Sequence, residues 1–519
     1  MQLLTSTAKD TKISLAVIII SSVISLTSFF YYLHIGYILL YSDAASHLVI
    51  ARRVTDSLTP GVAQLGDVWL PLQHVLAIPF IWNNFLWHSG IGGSIVSMIS
   101  FVLTAFFLFK TAKLLTNNYF SGLIAALVIV TNANYLYIQT TFMTESLMLA
   151  TMSSYLYFLL KWSKSNNISD LLIAAFCVFL STLTRYEAWF LALFGIGYVF
   201  YAAYRRKTFR YSESMTIIYT TLAFFGIFLW ILYGYIILGN GFYFLNGPFS
   251  AKAQQETIYL AGALPTKNNI LITVQTYFWN LIDTVGMGIF AATVISFGLY
   301  ILNKPKKENI TYLFVTFGPP FVIILTLFLG ITAIYIPQIP INDHYNNLFN
   351  VRYGLMSLPF VALILSLLAN TKKQSAVILL SFIIILQSLY LYANDYVLTL
   401  NNAVEENNIT HAPSMQMASV LFNDCRNGLT LMSAAGFDPL LIKTNIDPKH
   451  FIYEGNYGYW QTSLRNPTVY ADCVVMGTLD EQSDVVRASL YKNPMLLNNY
   501  TLLFQNSMGL ILKKTKELN

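Results

Sequence analysis

Apolar stretches of about 20 residues recur along the first three quarters of this chain, and they constrain its fold more than any other feature. A helix of about that length crosses the hydrocarbon core of a bilayer. Of the 519 residues, 56% are hydrophobic and only 10% are charged, which is more apolar surface than a water-soluble protein could bury. The pattern therefore predicts a polytopic α-helical membrane protein.

We expect about eleven transmembrane helices from these stretches. They lie near residues 13–33, 92–112, 119–138, 144–162, 169–185, 187–204, 215–238, 270–302, 311–336, 352–369 and 375–393. The first stretch is longer than the apolar region of a secretory signal and lacks a small-residue cleavage site, so we interpret it as a span.

The distribution of Lys and Arg predicts which side of the membrane each connection faces. One alternating set of connections is rich in both residues, as in the run 205–207. Before residue 394, the opposite set contains only Arg52, Arg53, Arg185, Lys252, Lys267 and Arg352. Cytoplasmic loops carry the excess of positive charge, so we expect a multi-pass cell-membrane protein with a cytoplasmic N-terminus. The C-terminal tail should then be extracytoplasmic.

Composition changes near residue 394, which suggests a transmembrane domain, 1–394, followed by an extracytoplasmic domain, 395–519. Five tail segments have strand-like composition: Leu429 to Met432, Phe451 to Tyr453, Cys473 to Met476, Thr501 to Phe504 and Leu510 to Leu512. Ser414 to Asn423 has the pattern of a helix. The tail is thus predicted to be a small α/β domain, and a disulfide between Cys425 and Cys473 would be permitted there.

The polar segment at about 34–91 is the candidate catalytic loop. Ser42 or Asp43 could cap a helix that ends at Pro60-Gly61 and lies in the membrane interface, with Arg52 and Arg53 reaching lipid phosphates. Asp43 would lie near bilayer depth, where an ionised carboxylate is costly unless it has a partner.

Asp43 and His47 are four residues apart, so they would share one helix face. A carboxylate and an imidazole can bind a divalent metal, with Glu145 at the head of the fourth predicted span as a third ligand. The alternative is a histidine that is only hydrogen-bonded. A divalent metal is thus the one cofactor that the sequence suggests.

Three cations on the predicted outer side are candidates to bind a phosphate: Arg352, Arg185 and Lys252. Arg352 is the strongest, because a guanidinium suits phosphate and this one opens a span beside Tyr353. The alternative for Arg352 is ordinary snorkelling to the interface.

The order of several short segments resembles the GT-C membrane glycosyltransferases. Asp43 follows the first span, and Trp69-Leu70-Pro71-Leu72-Gln73-His74 precedes the second. Further segments that carry the resemblance are Thr144-Glu145, Thr184-Arg185-Tyr186-Glu187 and Arg352-Tyr353-Gly354. The closest branch contains the protein O-mannosyltransferases and the lipid A aminoarabinose transferase.

The resemblance implies an inverting glycosyltransferase that uses a dolichyl- or undecaprenyl-phosphate sugar and a protein or lipid hydroxyl acceptor. It places Asp43 at the catalytic centre. Further substrate contacts are expected from Glu145, His74, Trp69 and Tyr353. Many family members have a second acid directly after the catalytic Asp, whereas this chain has Ala44. His47 could serve instead, or Asp43 could act alone.

A multi-spanning transporter or lipid flippase is the alternative function. It would predict ionisable or broken positions at mid-membrane depth in related halves of the chain. The sequence has no evident internal repeat and few charges at span centres, so we favour the transferase. The net charge of +6 comes largely from the loop anchors and does not indicate nucleic-acid binding.

Overall fold

The computed structural model describes residues 2–341, 347–370, 374–478 and 484–515. Within these ranges the chain is helical as far as Asp424 and adds a small sheet beyond it. The α-helices up to residue 260 are Gln2–His34, Ser42–Arg53, Leu72–Ile81, Asn84–His88, Ile91–Thr116, Tyr119–Thr131, Ala133–Ile138, Thr144–Ser165, Ile168–Thr182, Glu187–Tyr204, Phe209–Ala223, Phe225–Leu238, Tyr243–Asn246 and Ala251–Leu260.

The helices continue through the second half of the chain. They are Ile270–Val285, Met287–Leu302, Lys307–Thr316, Gly318–Phe328, Leu358–Leu368, Gln374–Ala393, Leu398–Asp424, Ala434–Lys443, Tyr457–Arg465, Val485–Leu490 and Pro494–Asn499. Short 3-10 helices lie at Val62–Gln64, Val351–Ser357, Pro448–His450 and Pro467–Val469.

By length and composition, 6 described helices can cross a membrane, or up to 8 if each of two bent pairs forms one span. The predicted number of about eleven is higher because it includes three segments that do not meet this criterion. Tyr119–Thr131 and Ile168–Thr182 contain 13 and 15 residues. At 1.5 Å per residue they are shorter than the roughly 30 Å hydrocarbon core. Thr144–Ser165 is long enough, but it carries Thr, Glu, Ser and Lys residues.

One bent pair owes its shape to a glycine. Ile270–Val285 and Met287–Leu302 meet at 109°. Between them, Gly286 has φ +86°, and a Cβ atom there would lie 2.3 Å from the side chain of Gln387. Only glycine fits both the backbone conformation and the space at this break.

The chain divides into two compact units. Unit 1 comprises Met1–Tyr37, Asp67–Leu72 and Val96–Asn402. Unit 2 comprises Ile38–Gly66, Gln73–Ile95 and Ala403–Asn519. Segments of the predicted catalytic loop therefore belong to the same unit as the tail. The proposed division at residue 394 stays a prediction.

The five predicted strands are confirmed, and they form one mixed sheet in unit 2. The strands are β1 (Thr430–Leu431), β2 (Phe451–Ile452), β3 (Cys473–Gly477), β4 (Tyr500–Gln505) and β5 (Gly509–Lys514), in the order β2-β1-β3-β5-β4. β1 runs parallel to β2 and β3, whereas β5 runs antiparallel to β3 and β4. A disulfide joins Cys473, at the start of β3, to Cys425.

The sheet packs its apolar side chains against short helices of the tail. Leu431, Val474 and Met476 from the strands are fully buried with Trp460 and Leu490 in one hydrophobic cluster. The predicted helix Ser414 to Asn423 is part of a longer helix, Leu398–Asp424, that continues through Pro413. The Asn and Glu residues of its first half and the proline that follows them are atypical of a helix interior, so the sequence pattern did not show this extension.

The first-loop helix, Ser42–Arg53, differs from its prediction in three ways. It ends at Arg53 rather than at Pro60-Gly61, and no side chain caps it from the preceding residue. Its residues from Ala44 to Arg53 are buried. The prediction of a cap from Ser42 or Asp43 is therefore wrong, because both residues lie inside the first turn of the helix. The prediction of a surface-lying helix is wrong because segments of unit 2, among them Ala434–Lys443, pack against it.

Candidate active site

Glu145 lies fully buried between two arginines of unit 1. Its Oε1 atom accepts hydrogen bonds from Nη1 of Arg185 at 2.8 Å and from Nε of Arg352 at 3.1 Å. The side chains of Arg185 and Arg352 are 12% and 9% exposed. A buried carboxylate needs such partners, since an isolated charge in this environment would be costly.

The local structure explains why Glu145 can be charged there. It stands in the first turn of the helix Thr144–Ser165, where the unpaired N–H groups favour negative charge. Arg352 is the second residue of the 3-10 helix Val351–Ser357. Asn350, the residue that precedes this helix, has a left-handed φ of 51°. The two side chains come from segments 207 residues apart, so their meeting depends on the tertiary fold.

Arg185 contacts two carboxylates. Besides Glu145, its Nη2 atom donates to Oε1 of Glu187 at 2.8 Å, and its Nη1 atom donates to the hydroxyl of Thr144 at 2.9 Å. The positive charge of Arg185 is thus balanced within unit 1.

Tyr353 completes the group by lying against both arginines. The guanidinium carbons of Arg185 and Arg352 are 5.0 and 5.6 Å from the centre of its ring. An aromatic face attracts a cation at this range. The next residue, Gly354, permits the close packing of this turn, because a Cβ atom there would lie 2.0 Å from the hydroxyl of Thr284.

The predicted Trp-Leu-Pro-Leu segment also has a defined place in unit 1. The backbone N–H of Leu72 donates to the carbonyl of Leu183 at 3.0 Å. The hydroxyl of Tyr186 donates to the carbonyl of Val68 at 2.6 Å. These bonds tie the residues on either side of Trp69 to the connection that carries Arg185.

Asp43, His47 and His74 all belong to unit 2. Asp43 stands in the first turn of the first-loop helix, and His47 lies one turn further along. Nδ1 of His47 and Nε2 of His74 are 2.7 Å apart and share a hydrogen bond, and both side chains are buried. The sequence placed each histidine in the site but gave no signal that they would pair, because they are 27 residues apart.

Burial lowers the pKa of His74 well below its usual value, and electrostatic interactions with His47 and Arg53 act in the same direction. His74 lies in the helix Leu72–Ile81, which is too short to count as a span. A neutral His74 at physiological pH follows from this environment.

Several predicted contacts take other roles or stay untested. Arg52 and Arg53 are buried, so the prediction that they reach lipid phosphates is wrong. Arg52 instead donates to Asp56 at 2.9 Å and to the backbone carbonyl of Ile81 at 2.7 Å. Lys252 lies exposed on the helix Ala251–Leu260 and stays a prediction.

Across the described ranges, no group of three or more His, Cys, Asp and Glu side chains is arranged to hold a metal ion. The set of Asp43, His47 and Glu145 therefore stays a prediction from sequence. The surroundings of Glu145 argue against Glu145 as a metal ligand. Two guanidinium groups already neutralise its carboxylate, and they would repel a divalent cation.

The fold of this chain is found in solved structures. It superposes on ArnT from Cupriavidus metallidurans bound to undecaprenyl phosphate with a TM-score of 0.56 and 10% identity, covering 96% of this chain and 98% of that one. It superposes on the apo oligosaccharyltransferase from Archaeoglobus fulgidus with a TM-score of 0.52 and 10% identity, covering 97% and 75%. No curated protein sequence matches significantly. The fold is therefore that of a multi-pass GT-C membrane protein.

A family comparison finds a match over part of the chain. Residues 85–233, which include Glu145 and Arg185, match the family described as dolichyl-phosphate-mannose-protein mannosyltransferase. This match covers less than a third of the chain, and it shows a similarity to that family over this segment. The predicted fold is confirmed.

Proposed function

We propose that this protein transfers a sugar from a polyprenyl-phosphate donor to a hydroxyl group of a protein or lipid, with inversion at the anomeric carbon. Similarity to the mannosyltransferase family and to the undecaprenyl-phosphate-bound ArnT supports the donor class. The reaction takes place on the extracytoplasmic face, as the positive charge of the alternate loops predicts.

The observation that carries this proposal is the buried pair of arginines around Glu145. When the bond between the anomeric carbon and the phosphate oxygen breaks, the lipid phosphate leaves with an added negative charge. Preorganised positive groups stabilise such a developing charge. Arg352 supplies the guanidinium for the phosphate, Arg185 supports it, and exposed Lys252 meets the donor during its approach.

Glu145 holds the two guanidinium groups in place as their shared counter-ion. Its second oxygen, Oε2, is buried and has no hydrogen-bond partner among the described residues. This oxygen could accept a hydrogen bond from a hydroxyl group of the donor sugar. This is the substrate contact that we propose for Glu145.

Asp43 is the proposed general base. It takes the proton from the acceptor hydroxyl as that oxygen attacks the anomeric carbon, and the lipid phosphate departs from the opposite face. A carboxylate needs to be within hydrogen-bond reach of that proton. Trp69, His74 and Tyr353 are proposed to line the substrate path, and no step requires a metal.

The test is transfer in proteoliposomes that contain dolichyl- or undecaprenyl-phosphate sugars and candidate protein or lipid acceptors. Asp43→Asn should lower kcat by roughly 100-fold or more, because it removes the base. Arg206→Ala is the control, since Arg206 forms a partly exposed contact with Glu308 at 3.4 Å. Full turnover by Asp43→Asn would contradict the base assignment.

A further inference from the structure

The tail of the chain contacts the first-loop helix at both ends, entirely within unit 2. This helix, Ser42–Arg53, carries Asp43 in its first turn. A helix of 12 residues is marginally stable by itself and depends on tertiary contacts. The contacts at the two ends of the helix therefore determine the position of Asp43.

At the N-terminal end, the cap comes from the tail helix Leu398–Asp424. The backbone N–H of Ser42 donates to Oε1 of Glu406 at 2.9 Å, and the hydroxyl of Ser42 contacts the same oxygen. Tyr41, the residue before the helix, provides no side-chain cap. A carboxylate at this position satisfies an otherwise unpaired donor and favours the positive end of the helix.

At the C-terminal end, the tail encloses Arg53. The guanidinium carbon of Arg53 lies 4.6 Å from the centre of the Tyr453 ring. Nη1 of Arg53 lies 3.5 Å from Oδ1 of Asp438. The arginine is 7% exposed, so these contacts form away from solvent and are little screened by salt.

The turn after β2 then binds the segment that follows the helix. The hydroxyl of Tyr453 donates to Oε1 of Gln64 at 2.9 Å, and Nε2 of Gln64 donates to the carbonyl of Gly455 at 2.9 Å. Nδ2 of Asn456 donates to the hydroxyl of Thr59 at 2.9 Å. The polar groups of this turn therefore form hydrogen bonds with the segment that follows the first-loop helix.

We propose that the tail is a positioning element for the transfer reaction, with Glu406 and Tyr453 as the residues that hold the Asp43 helix. Neither residue touches substrate in this account. The proposal rests on the proposed function, because it matters for catalysis only if Asp43 is the base. A misplacement of about 1 Å in a reacting group can lower the rate by roughly 100-fold.

The experiment compares four full-length variants with wild type. Glu406→Ala removes the cap, whereas Glu406→Gln keeps an oxygen that can accept from Ser42. Tyr453→Phe keeps the ring against Arg53 but removes the bond to Gln64. The control is Asp424→Ala, because Asp424 is on the same helix as Glu406 but is 42% exposed in its contact with Lys513. Each protein is measured by amide hydrogen exchange with mass spectrometry and by steady-state kinetics.

We expect amide exchange in residues 42–53 to become about fivefold faster in Glu406→Ala, with β3 and β5 unchanged. Its kcat should fall by roughly 10- to 100-fold at nearly constant KM. Tyr453→Phe should show a smaller change of the same kind, localised to residues 42–66. Glu406→Gln should retain most of the turnover, and Asp424→Ala should match wild type.

Unchanged exchange in residues 42–53 of Glu406→Ala would overturn the proposal, as would faster exchange there with normal kcat. Equally faster exchange throughout the sheet would show a general structural role and would also overturn it. If Glu406→Ala does not fold, Tyr453→Phe decides by the same criteria. Failure of the base assignment is seen separately as full turnover by Asp43→Asn, whereas the exchange data do not depend on activity.

Discussion

Glu145→Gln is the substitution that most sharply separates a counter-ion from a residue that only fills space. It changes the volume of the side chain little but removes the negative charge between Arg185 and Arg352. In the folded protein, the Oε1 atom of Glu145 is 2.8 and 3.1 Å from the two guanidinium nitrogens. Removing one partner of a buried ion pair costs roughly 3–5 kcal/mol, because a buried charge loses its compensation.

The matched control is Glu308→Gln, the same change in a pair with Arg206. That pair is 3.4 Å apart, and its side chains are 27% and 31% exposed. Pairs of this kind contribute about 0–1 kcal/mol. In thermal unfolding of the detergent-solubilised protein, Glu145→Gln should therefore lower Tm by on the order of 5 °C relative to Glu308→Gln.

The phosphate hypothesis adds a second expectation for this variant. An anion that binds beside Arg352 would restore part of the missing negative charge. Polyprenyl phosphate should therefore raise Tm more in Glu145→Gln than in wild type, whereas the uncharged polyprenol should not. Equal Tm values for Glu145→Gln and Glu308→Gln would show that Glu145 is not a counter-ion of the two arginines. No difference between the two lipids would contradict phosphate binding beside Arg352.

Three further predictions concern Arg352, His74 and the predicted metal ligands. Arg352→Lys keeps the positive charge but loses the planar guanidinium, so we expect kcat/KM to fall by roughly 10-fold or more. Wild-type kinetics in this variant would show that Arg352 does not bind the phosphate. His74 has a lowered pKa in the folded state, so the unfolded chain binds the extra proton and stability falls as pH drops below about 6.5. His74→Gln should reduce the fall in Tm between pH 7.5 and 5.5, and an unchanged fall would contradict this. Chelation with EDTA should leave turnover unchanged, whereas a loss restored by a divalent ion would support the metal set that includes Asp43 and His47.

The sequence predicted those parts of the fold that have local signals. Long apolar stretches marked the spans, and short apolar runs such as Cys473 to Met476 marked the strands, because both patterns arise within one element. The same apolar pattern led us to count Tyr119–Thr131 and Ile168–Thr182 as spans. Apolar character alone does not show where a helix breaks.

The site was only partly accessible to sequence reasoning. Charge placement singled out Arg185, Arg352 and Glu145, because charged groups near spans are costly unless they have partners. It did not show that Glu145 binds both arginines through a single oxygen, which depends on contacts 40 and 207 residues apart. Glu406 was missed completely, because an acid in a polar helix resembles any solvated residue until its partner, Ser42, is known.

Sugar transfer and lipid flipping can be separated with a doubly labelled donor, in which the sugar carries one label and the polyprenyl phosphate carries another. Wild-type protein in proteoliposomes should release one free polyprenyl phosphate for each sugar that appears on an acceptor hydroxyl, in inverted anomeric configuration. Movement of the intact donor across the bilayer, with both labels still joined and no glycosylated product, would contradict the account and indicate a flippase.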